Sequence, residues 1–281
     1  MKKVLLIIID ALSARVVNPA LAAGRLPHFQ QLRAAASIQR ESIAIFPSIT
    51  PAATSSLITG RYPRHHGVSG AYWYIPDQKQ VVYYGYDIWA VLEEGIGRFL
   101  NDFLVALNEE HLDAQTLFQT VEENGHTAAS LNYLIYHGDH PHEIELPLLL
   151  KVLPGAKVTE AVNGPTVHYF GDLIRAPLAS GDPISAPGGL FHRFGFTDET
   201  TVTLLQRLIE RGNLPDFTLA YFPDNDFRSH EVGPEAALEH LEELDAQLGE
   251  LFDAYGGLHS FLADVAVVLT GDHSQSDVVE D

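Results

Sequence analysis

The chain has 281 residues, of which 46% are hydrophobic and 19% charged. This length and composition are typical of a globular protein and exclude a disordered chain or a fibrous repeat. Acidic residues number 37 against 17 basic ones, a formal net charge of −20, which disfavours nucleic acid or an anionic membrane as a bulk partner. There is no cysteine, so disulfides, thiolate metal sites and cysteine nucleophiles are excluded, and any metal must be bound by histidine, carboxylate or hydroxyl groups.

The N-terminal segment has two lysines, Lys2 and Lys3, followed by an apolar run over residues 4–9 that ends at Asp10. The run is short and has no small-residue cleavage site before the charge, so it predicts a buried strand rather than an export signal. No stretch reaches the roughly 18 apolar residues of a membrane span. We therefore expect a protein of the cytoplasm with no membrane partner.

Further short apolar runs predict buried strands of a mostly parallel sheet, and helical patterns lie between them. The predicted strands are residues 4–9, 42–46, 127–131, 217–222 and 265–270. The predicted helices are residues 21–36, 116–124, 198–211 and 234–255. This alternation indicates an α/β fold, a doubly wound and mostly parallel sheet with helices on both faces, in a single domain over residues 1–281.

Two stretches interrupt the alternation of strands and helices. Residues 71–87 are rich in aromatic side chains and predict a loop or hairpin beside the site. Those rings can stack on a nucleobase, but core packing is the interpretation that we favour. Residues 137–192 contain seven of the 16 prolines, and we interpret them as an inserted cap or long excursion.

Polar side chains follow four of the predicted strands. They are Asp10, Thr50, Asp226, His230, Asp272 and His273. Ligands of open α/β sheets gather at the carboxyl ends of the strands. Carboxylate oxygens and imidazole nitrogens are the ligands that a zinc-like ion takes where thiolates are absent. The sequence therefore predicts a metal site at this edge of the sheet.

Taken singly, the acidic residues and histidines have ordinary structural explanations. Asp10 is also expected of a turn or a helix cap. Asp272 and His273 form a dipeptide of a kind that is common in surface loops. The i,i+4 spacing of Asp226 and His230 places both on one helix face, which in most helices is a solvated face.

Thr50 has a strong structural explanation of its own. It precedes Pro51 and a stretch of small residues that closes at Gly60, which is the pattern of an N-cap, a proline in the first turn and a C-terminal glycine. Capping does not compete with a catalytic role, because a helix N-terminus also attracts phosphate. A hydroxyl at that place, beside a divalent cation, is positioned to attack phosphorus.

Four blocks of sequence occur in one order along residues 4–273. They are VLLIIID at 4–10, FPSIT at 46–50 with TGRYP at 59–63 and HGV at 66–68, DFRSH at 226–230 with GP at 233–234, and TGDH at 270–273. In these blocks the chain resembles the alkaline phosphatase superfamily, most closely its type I phosphodiesterase/nucleotide pyrophosphatase branch. The resemblance implies an alkaline phosphatase-like fold whose C-terminal part is missing from this chain.

The resemblance also implies two divalent metal ions, Zn²⁺ or else Mn²⁺, and a small phosphorylated substrate. By resemblance the ligands of the first metal are Asp10, Thr50, Asp272 and His273. Asp226 and His230 match two ligands of the second metal, which activates the incoming water. Thr50 matches the nucleophile that is transiently phosphorylated. The implied activity is metal-dependent hydrolysis of phosphate esters, of the phosphodiesterase or nucleotide pyrophosphatase type.

The chain departs from the family pattern in two places that concern the site. The family supplies a third ligand of the second metal from a histidine well downstream of the Asp-His pair, and the sequence given has none there. The substitutes that we considered are His65, His137, His140 and His142. The phosphodiesterase branch often has an asparagine at the position of Ala71.

Several other functions remain open from the sequence. A sulfatase is disfavoured because Thr50 is neither Cys nor Ser, and Ala52 and Thr54 stand where its maturation needs Pro and Arg. Phosphonate or phosphomonoester hydrolysis uses the same nucleophile and metals. A catalytically impaired fragment or binding protein is the alternative of a different class, motivated by the incomplete second metal site.

Overall fold

A sheet of six strands forms the centre of the computed structural model, which describes residues 2–36, 42–76, 79–84, 101–147, 160–176 and 183–277. The described strands are β1 (Lys3–Ile9), β2 (Tyr72–Ile75), β3 (Gln80–Tyr83), β4 (Ala128–Leu131), β5 (His140–Glu143), β6 (Ala161–Gly164), β7 (Val167–Phe170), β8 (Ile174–Arg175), β9 (Phe217–Phe222) and β10 (Val265–Gly271). The described α-helices are α1 (Ala14–Ala22), α2 (Pro27–Ala35), α3 (Thr50–Thr59), α4 (Pro63–His66), α5 (Leu117–Glu123), α6 (Asp198–Glu210), α7 (Asp224–Val232), α8 (Leu238–Ala254) and α9 (Leu258–Asp264). A π-helix spans Asp102–Glu110, and a 3₁₀ segment spans Leu190–Gly195.

The central sheet has the strand order β10-β1-β9-β4-β7-β8. The first five of these strands are mutually parallel, and β8 pairs with β7 in the antiparallel direction. Two antiparallel hairpins, β2-β3 and β5-β6, lie outside it. The structure thus confirms the predicted α/β fold with a mostly parallel sheet.

Both faces of the sheet are covered, and strand β1 shows why. Its side chains alternate between the two faces, with Leu5, Ile7 and Ile9 in one core cluster and Ile8 in another. The first cluster contains the buried leucines of α6 and α8, and the second contains Ile58 of α3. Burying each large aliphatic side chain contributes about 1.5–3 kcal/mol, so the apolar run of β1 holds the two helical layers together.

Four of the five predicted strands are present, and the strand predicted over residues 42–46 is wrong. The described residues 42–46 form no regular structure, and the side chains of Ile43 and Phe46 are 90% and 91% exposed. The apolar run at 42–46 therefore buries too little surface to be stabilised as a strand.

The helix predicted over residues 21–36 is also wrong, because the chain forms two helices there. Helix α1 ends at Ala22, Gly24 adopts a left-handed conformation with φ of 72°, and Pro27 begins α2. Proline is favoured in the first turn of a helix, so Pro27 suits the start of α2. Helices α5 and α6 agree with prediction, and α8 begins at Leu238, four residues later than predicted.

The stretch over residues 137–192, interpreted as an inserted excursion, contributes to the central sheet in its described part. It supplies the hairpin β5-β6 and the sheet strands β7 and β8. Whether residues 137–192 also act as a cap stays a prediction, and 148–159 and 177–182 lie outside the described residues. Among the described helices, none combines the length and apolarity needed to cross a bilayer.

Candidate active site

The register of the sheet brings three of the predicted site segments to one edge. Ile9, the last residue of β1, pairs with Phe222 of β9 on one side and with Gly271 of β10 on the other. The next residues along the chain are Asp10 and Asp272, so they leave the sheet at the same level. After Phe222 the chain turns into α7, which carries Asp226 and His230.

The ring of His273 lies at the centre of these groups. Its Nε2 atom is 2.9 Å from Oγ1 of Thr50, 3.2 Å from Oδ1 of Asp10 and 4.0 Å from Oδ2 of Asp272. Ligand atoms of Asp10, Asp272 and His273 all lie within 4.8 Å of one another. Four side chains from three separate segments therefore converge on one point, as the set of first-metal ligands implied by the resemblance requires.

Thr50 reaches this point because it begins α3. The N-cap of the helix is Ile49, and no side chain caps its first turn. The expected N-cap at Thr50 is therefore wrong by one residue, and the Thr50 hydroxyl is engaged with His273 rather than with its own helix. Gly60 ends the helix in the left-handed conformation, with φ of 64°, as predicted.

Asp226 and His230 form the second part of the candidate site. Oδ2 of Asp226 lies 3.4 Å from Nε2 of His230, one helical turn later on α7. Asp226 is buried, whereas the side chain of His230 is 45% exposed and its Nδ1 lies 3.3 Å from Gln275. The nearby charges of His273 and Asp272 act on the pKa of Asp226.

Three carboxylate oxygens at the site are buried without a well-formed hydrogen bond to a described residue, although His273 forms ion pairs with Asp10 and Asp272. They are Oδ1 of Asp10, Oδ1 of Asp226 and Oδ2 of Asp272. Buried charges are costly unless they are paired or coordinate a metal. Oxygen and nitrogen donors are the chemistry that Zn²⁺ and Mn²⁺ accept. The residues present therefore fit a divalent cation.

The protonation equilibria of the metal-free site reflect the same crowding of charge. Desolvation and the neighbouring Asp226 raise the pKa of Asp10, and desolvation with the neighbouring Asp10 raises the pKa of Asp272. Burial raises the pKa of Asp226 to about 6. Hydrogen bonding to Asp10 and the surrounding carboxylates outweigh desolvation and raise the pKa of His273 to about 9. Without metal, an imidazolium thus supplies the positive charge among the carboxylates.

The remaining carboxylate oxygens are held by groups that the sequence did not reveal. Tyr221 of β9 donates its hydroxyl proton to Oδ2 of Asp10, and Asn225 donates from Nδ2 to the Asp10 carbonyl at 2.7 Å. The backbone N–H groups of Ala11 and His273 donate to Oδ1 of Asp272 at 3.2 and 2.8 Å. Each aspartate therefore turns one oxygen to the protein and the other to the centre of the site.

The block at residues 59–68 anchors helix α3. The fully buried His66 accepts the N–H of Val68 at Nδ1, so its Nε2–H donates to Oγ of Ser56, 2.9 Å away. Tyr133 adds a hydrogen bond of 2.7 Å from its hydroxyl to the carbonyl of Thr54. These contacts fix the helix that carries Thr50 at its N-terminus.

Three of the four histidines considered as substitute ligands have other partners. His137 pairs with Glu109, His140 with Glu122, and Nε2 of His142 lies 2.7 Å from the carbonyl of Pro165. The contacts of these histidines therefore lie outside the Asp226–His230 pair.

In the described part of the aromatic stretch, residues 71–76 and 79–84, some aromatic side chains are packed and others are exposed. It forms the predicted hairpin, β2-β3. Trp73 packs against the buried Tyr84 with ring centres 5.3 Å apart, whereas Tyr72 and Tyr74 are 70% and 56% exposed. Core packing, the favoured interpretation, therefore accounts for one face of the hairpin only.

Comparisons with solved structures find the same fold in murine ectonucleotide pyrophosphatase/phosphodiesterase 5. Its inactive threonine-to-alanine variant in complex with AMP matches with a TM-score of 0.63 and 15% identity, over 100% of this chain and 59% of that chain. A second murine structure matches with a TM-score of 0.62 and 16% identity, over 99% of this chain and 59% of that chain. The human protein matches with a TM-score of 0.60 and 16% identity, over 97% of this chain and 57% of that chain. This chain thus spans less than two thirds of the length of these neighbours.

Comparisons of sequence identify the family. No curated protein matches at a significant level. The family model of the type I phosphodiesterase / nucleotide pyrophosphatase proteins matches residues 4–281, which include all six predicted site residues. The chain therefore belongs to the type I phosphodiesterase/nucleotide pyrophosphatase family.

Proposed function

We propose that the chain carries the hydrolytic site of a metal-dependent phosphate esterase, with Thr50 as the nucleophile. The observation that carries the proposal is the convergence of Thr50, Asp10, Asp272 and His273 around one point. Buried carboxylates grouped in this way need a positive charge among them, which a divalent cation would supply.

The place of Thr50 suits attack on a phosphorus atom. Its hydroxyl lies at the N-terminus of α3, where backbone N–H groups and the helix dipole favour an anion such as phosphate. Attack by Oγ1 on phosphorus forms a phosphothreonine ester and releases the alcohol of the substrate, and water then cleaves that ester. His66, Ser56 and Tyr133 hold α3 in place for the first step.

Asp10, Asp272 and His273 would hold one cation, and Asp226 with His230 would hold part of the shell of a second. Zn²⁺ or Mn²⁺ in these positions would lower the pKa of the Thr50 hydroxyl and offset the charge of the phosphoryl group. Tyr221 and Asn225 orient Asp10, which keeps Oδ1 turned to the centre of the site.

The substrate class that we propose is a small phosphate ester, with nucleotides first among the candidates. The murine neighbour was solved in complex with AMP, which supports a nucleotide. The exposed rings of Tyr72 and Tyr74 would suit a base.

The test compares Thr50→Ala with Thr59→Ala, a threonine of the same helix whose hydroxyl donates to the Ser55 carbonyl at 2.6 Å. With bis-p-nitrophenyl phosphate and Mn²⁺ or Zn²⁺, we expect Thr50→Ala to lower kcat by at least about 10³-fold, because the covalent route is lost. Thr59→Ala should stay within about threefold of the wild type, a change in barrier below 1 kcal/mol. Acid-quenched wild type should carry a substrate adduct on the peptide that contains Thr50. Unchanged turnover in Thr50→Ala would overturn the proposal.

A binding protein with an impaired site is the second candidate. The observation that favours it is the exposure of His230, a predicted ligand of the second metal whose side chain is 45% exposed. It predicts that the chain binds AMP and a metal ion but shows no turnover at any metal concentration. The same assay therefore separates the two functions.

A further inference from the structure

Helices α6 and α7 begin side by side, and each is capped by the aspartate that begins the other. The N–H of Asp224 donates to Oδ1 of Asp198 at 3.0 Å, and the N–H of Asp198 donates to Oδ2 of Asp224 at 2.9 Å. First-turn N–H groups have no partner within their own helix, and a carboxylate there is favourable to the dipole. The exchange therefore locks the start of α7, the helix of Asp226 and His230, to α6.

Two cations complete this buried group. The guanidinium of Arg193 pairs with Oδ1 of Asp224, and Nε2 of His240 lies 3.4 Å from Oδ2 of Asp198 and 3.6 Å from Oδ2 of Asp224. Asp198 is only 2% exposed, and its carboxylate raises the pKa of His240. Arg193 and His240 thus lie against the two carboxylates, and such pairing is the condition under which buried charge is tolerated. The exposed Glu243 lies outside this set, 3.4 Å from Nδ1 of His240.

Arg193 also contacts the segment of α7 that carries the predicted metal ligand. Its guanidinium carbon lies 4.2 Å from the ring centre of Phe227, the residue after Asp226. Arg193 and Phe194 both have positive φ, 46° and 53°, a conformation that costs of order 1–3 kcal/mol per residue and needs support from its surroundings. The N–H of Phe194 donates to the Gly189 carbonyl, and its carbonyl accepts from Asp172. The strained turn therefore places Arg193 against α7.

We infer that Asp198, together with Arg193 and His240, positions helix α7 so that Asp226 and His230 hold the second cation. These are positioning residues, since none of them contacts the centre of the site. The inference rests on the proposed function, and it assigns a task to residues that come from three separate elements, the 3₁₀ segment, α6 and α8. It predicts that a substitution in this charge group weakens the binding of one cation and leaves the binding of the other unchanged.

The test is a calorimetric titration of the metal-free chain with Mn²⁺. The matched control is Asp245→Asn, because Asp245 is also a buried aspartate that caps a helix, accepting the N–H groups of His28 and Phe29 at the start of α2. We expect the wild type to bind two equivalents. Asp198→Asn should lower the affinity for the second Mn²⁺ equivalent about tenfold, which is the usual effect of changing a residue that supports a metal ligand. The affinity for the first equivalent should stay unchanged. Asp245→Asn should leave both unchanged.

A further readout separates positioning from loss of the fold. Hydrolysis of bis-p-nitrophenyl phosphate by Asp198→Asn should need more Mn²⁺ for half-maximal rate but return to within about threefold of wild-type kcat at saturation, as expected when only metal affinity changes. Should Asp198→Asn fail to fold, Arg193→Gln gives the same test. Its side chain is partly exposed, and the exchange between Asp198 and Asp224 remains.

Three results would overturn the inference. The first is wild-type affinity for the second Mn²⁺ equivalent in Asp198→Asn, or in Arg193→Gln if Asp198→Asn does not fold. The second is loss of an additional Mn²⁺ equivalent in Asp198→Asn, which would make Asp198 the ligand of a separate ion. The third is a wild type that binds fewer than two equivalents, a result that removes the two-metal site of the proposed function as well. The first two leave the proposed function intact.

Discussion

The hydroxyl group of Tyr221 donates a hydrogen bond to Oδ2 of Asp10 across the pairing of β9 with β1. Both residues are buried, and the bond turns Oδ1 of Asp10 towards His273, 3.2 Å away. One oxygen is thus used for orientation, and the other lies at the centre of the site beside His273. Outer contacts of this kind tune metal affinity without touching the metal.

We therefore expect Tyr221→Phe to weaken the tighter Mn²⁺ equivalent about tenfold while kcat at saturating Mn²⁺ stays close to that of the wild type. Titration calorimetry measures the first quantity and steady-state kinetics the second. Tyr169→Phe is the control, because Tyr169 is equally buried but its hydroxyl oxygen accepts the N–H of Ile184. Equal Mn²⁺ affinity in Tyr221→Phe and wild type would contradict this role.

In the absence of metal, the buried charge of Asp226 should make the wild type less stable than the Asp226→Asn variant. Burial raises the pKa of Asp226 to about 6, so above that pH the folded state holds a charge that the unfolded state carries more easily. In EDTA at pH 7.5, Asp226→Asn should therefore raise the free energy of unfolding by about 1–3 kcal/mol. With saturating Mn²⁺ the order should reverse, because a ligand present at a thousand times its Kd stabilises the wild type by about 4.1 kcal/mol.

Urea unfolding with and without Mn²⁺ checks this reversal, and Asp253→Asn on the exposed side of α8 controls for charge removal alone. A variant that is less stable than the wild type in EDTA would show that Asp226 is held by favourable contacts. That result would remove the argument for a cation at this carboxylate.

The buried pair of His66 and Ser56 should carry a measurable part of the stability of α3. His66→Phe keeps an aromatic ring but leaves Oγ of Ser56 and the N–H of Val68 without their partners, which should cost about 2–3 kcal/mol. Ser56→Ala should cost about 1 kcal/mol, and the double variant less than the sum, with a coupling energy of about 1 kcal/mol. Urea unfolding measures all three. His65→Phe, on an exposed neighbour, should be neutral, and additive losses would show that the two side chains do not interact.

The parts of the site that the sequence could predict are those where a strand ends in a polar residue. Asp10 and Asp272 follow apolar runs, and parallel pairing puts the ends of such runs side by side. The contacts around them could not be predicted. Tyr221 lies within an apolar strand and looks like core, and its orienting bond depends on the register of β9 against β1.

The failures of prediction have different physical origins. Residues 42–46 have the apolar content of a strand, but Ile43 and Phe46 are exposed and find no core to pack against. Strand β7 lies in a proline-rich stretch and was not predicted, because its four residues are too few to show a periodic pattern. The charge group of Arg193, Asp198, Asp224 and His240 spans four elements, so no local spacing points to it.

His168 should make the stability of the fold depend on pH, independently of the metal site. It is fully buried on β7, its ring lies 4.3 Å from that of Tyr136, and neither nitrogen makes a hydrogen bond to a described residue. Burial, with a smaller contribution from His142, lowers its pKa well below the ordinary value of 6.5. Below pH 6.5 the unfolded chain therefore binds a proton that the folded chain excludes, and stability falls as the pH falls.

Between pH 7 and pH 5 we expect His168 to account for about 2 kcal/mol of this loss, at 1.36 kcal/mol for each pH unit below the unfolded pKa. His168→Leu should remove that part of the slope and leave the unfolding free energy at pH 7 unchanged or higher, since a buried polar ring is replaced by an apolar side chain. Urea unfolding at a series of pH values measures the slope. His259→Leu, at an exposed position of α9, should keep the wild-type slope. An unaltered slope in His168→Leu would mean that the imidazole at position 168 is protonated in the folded chain as readily as in the unfolded one.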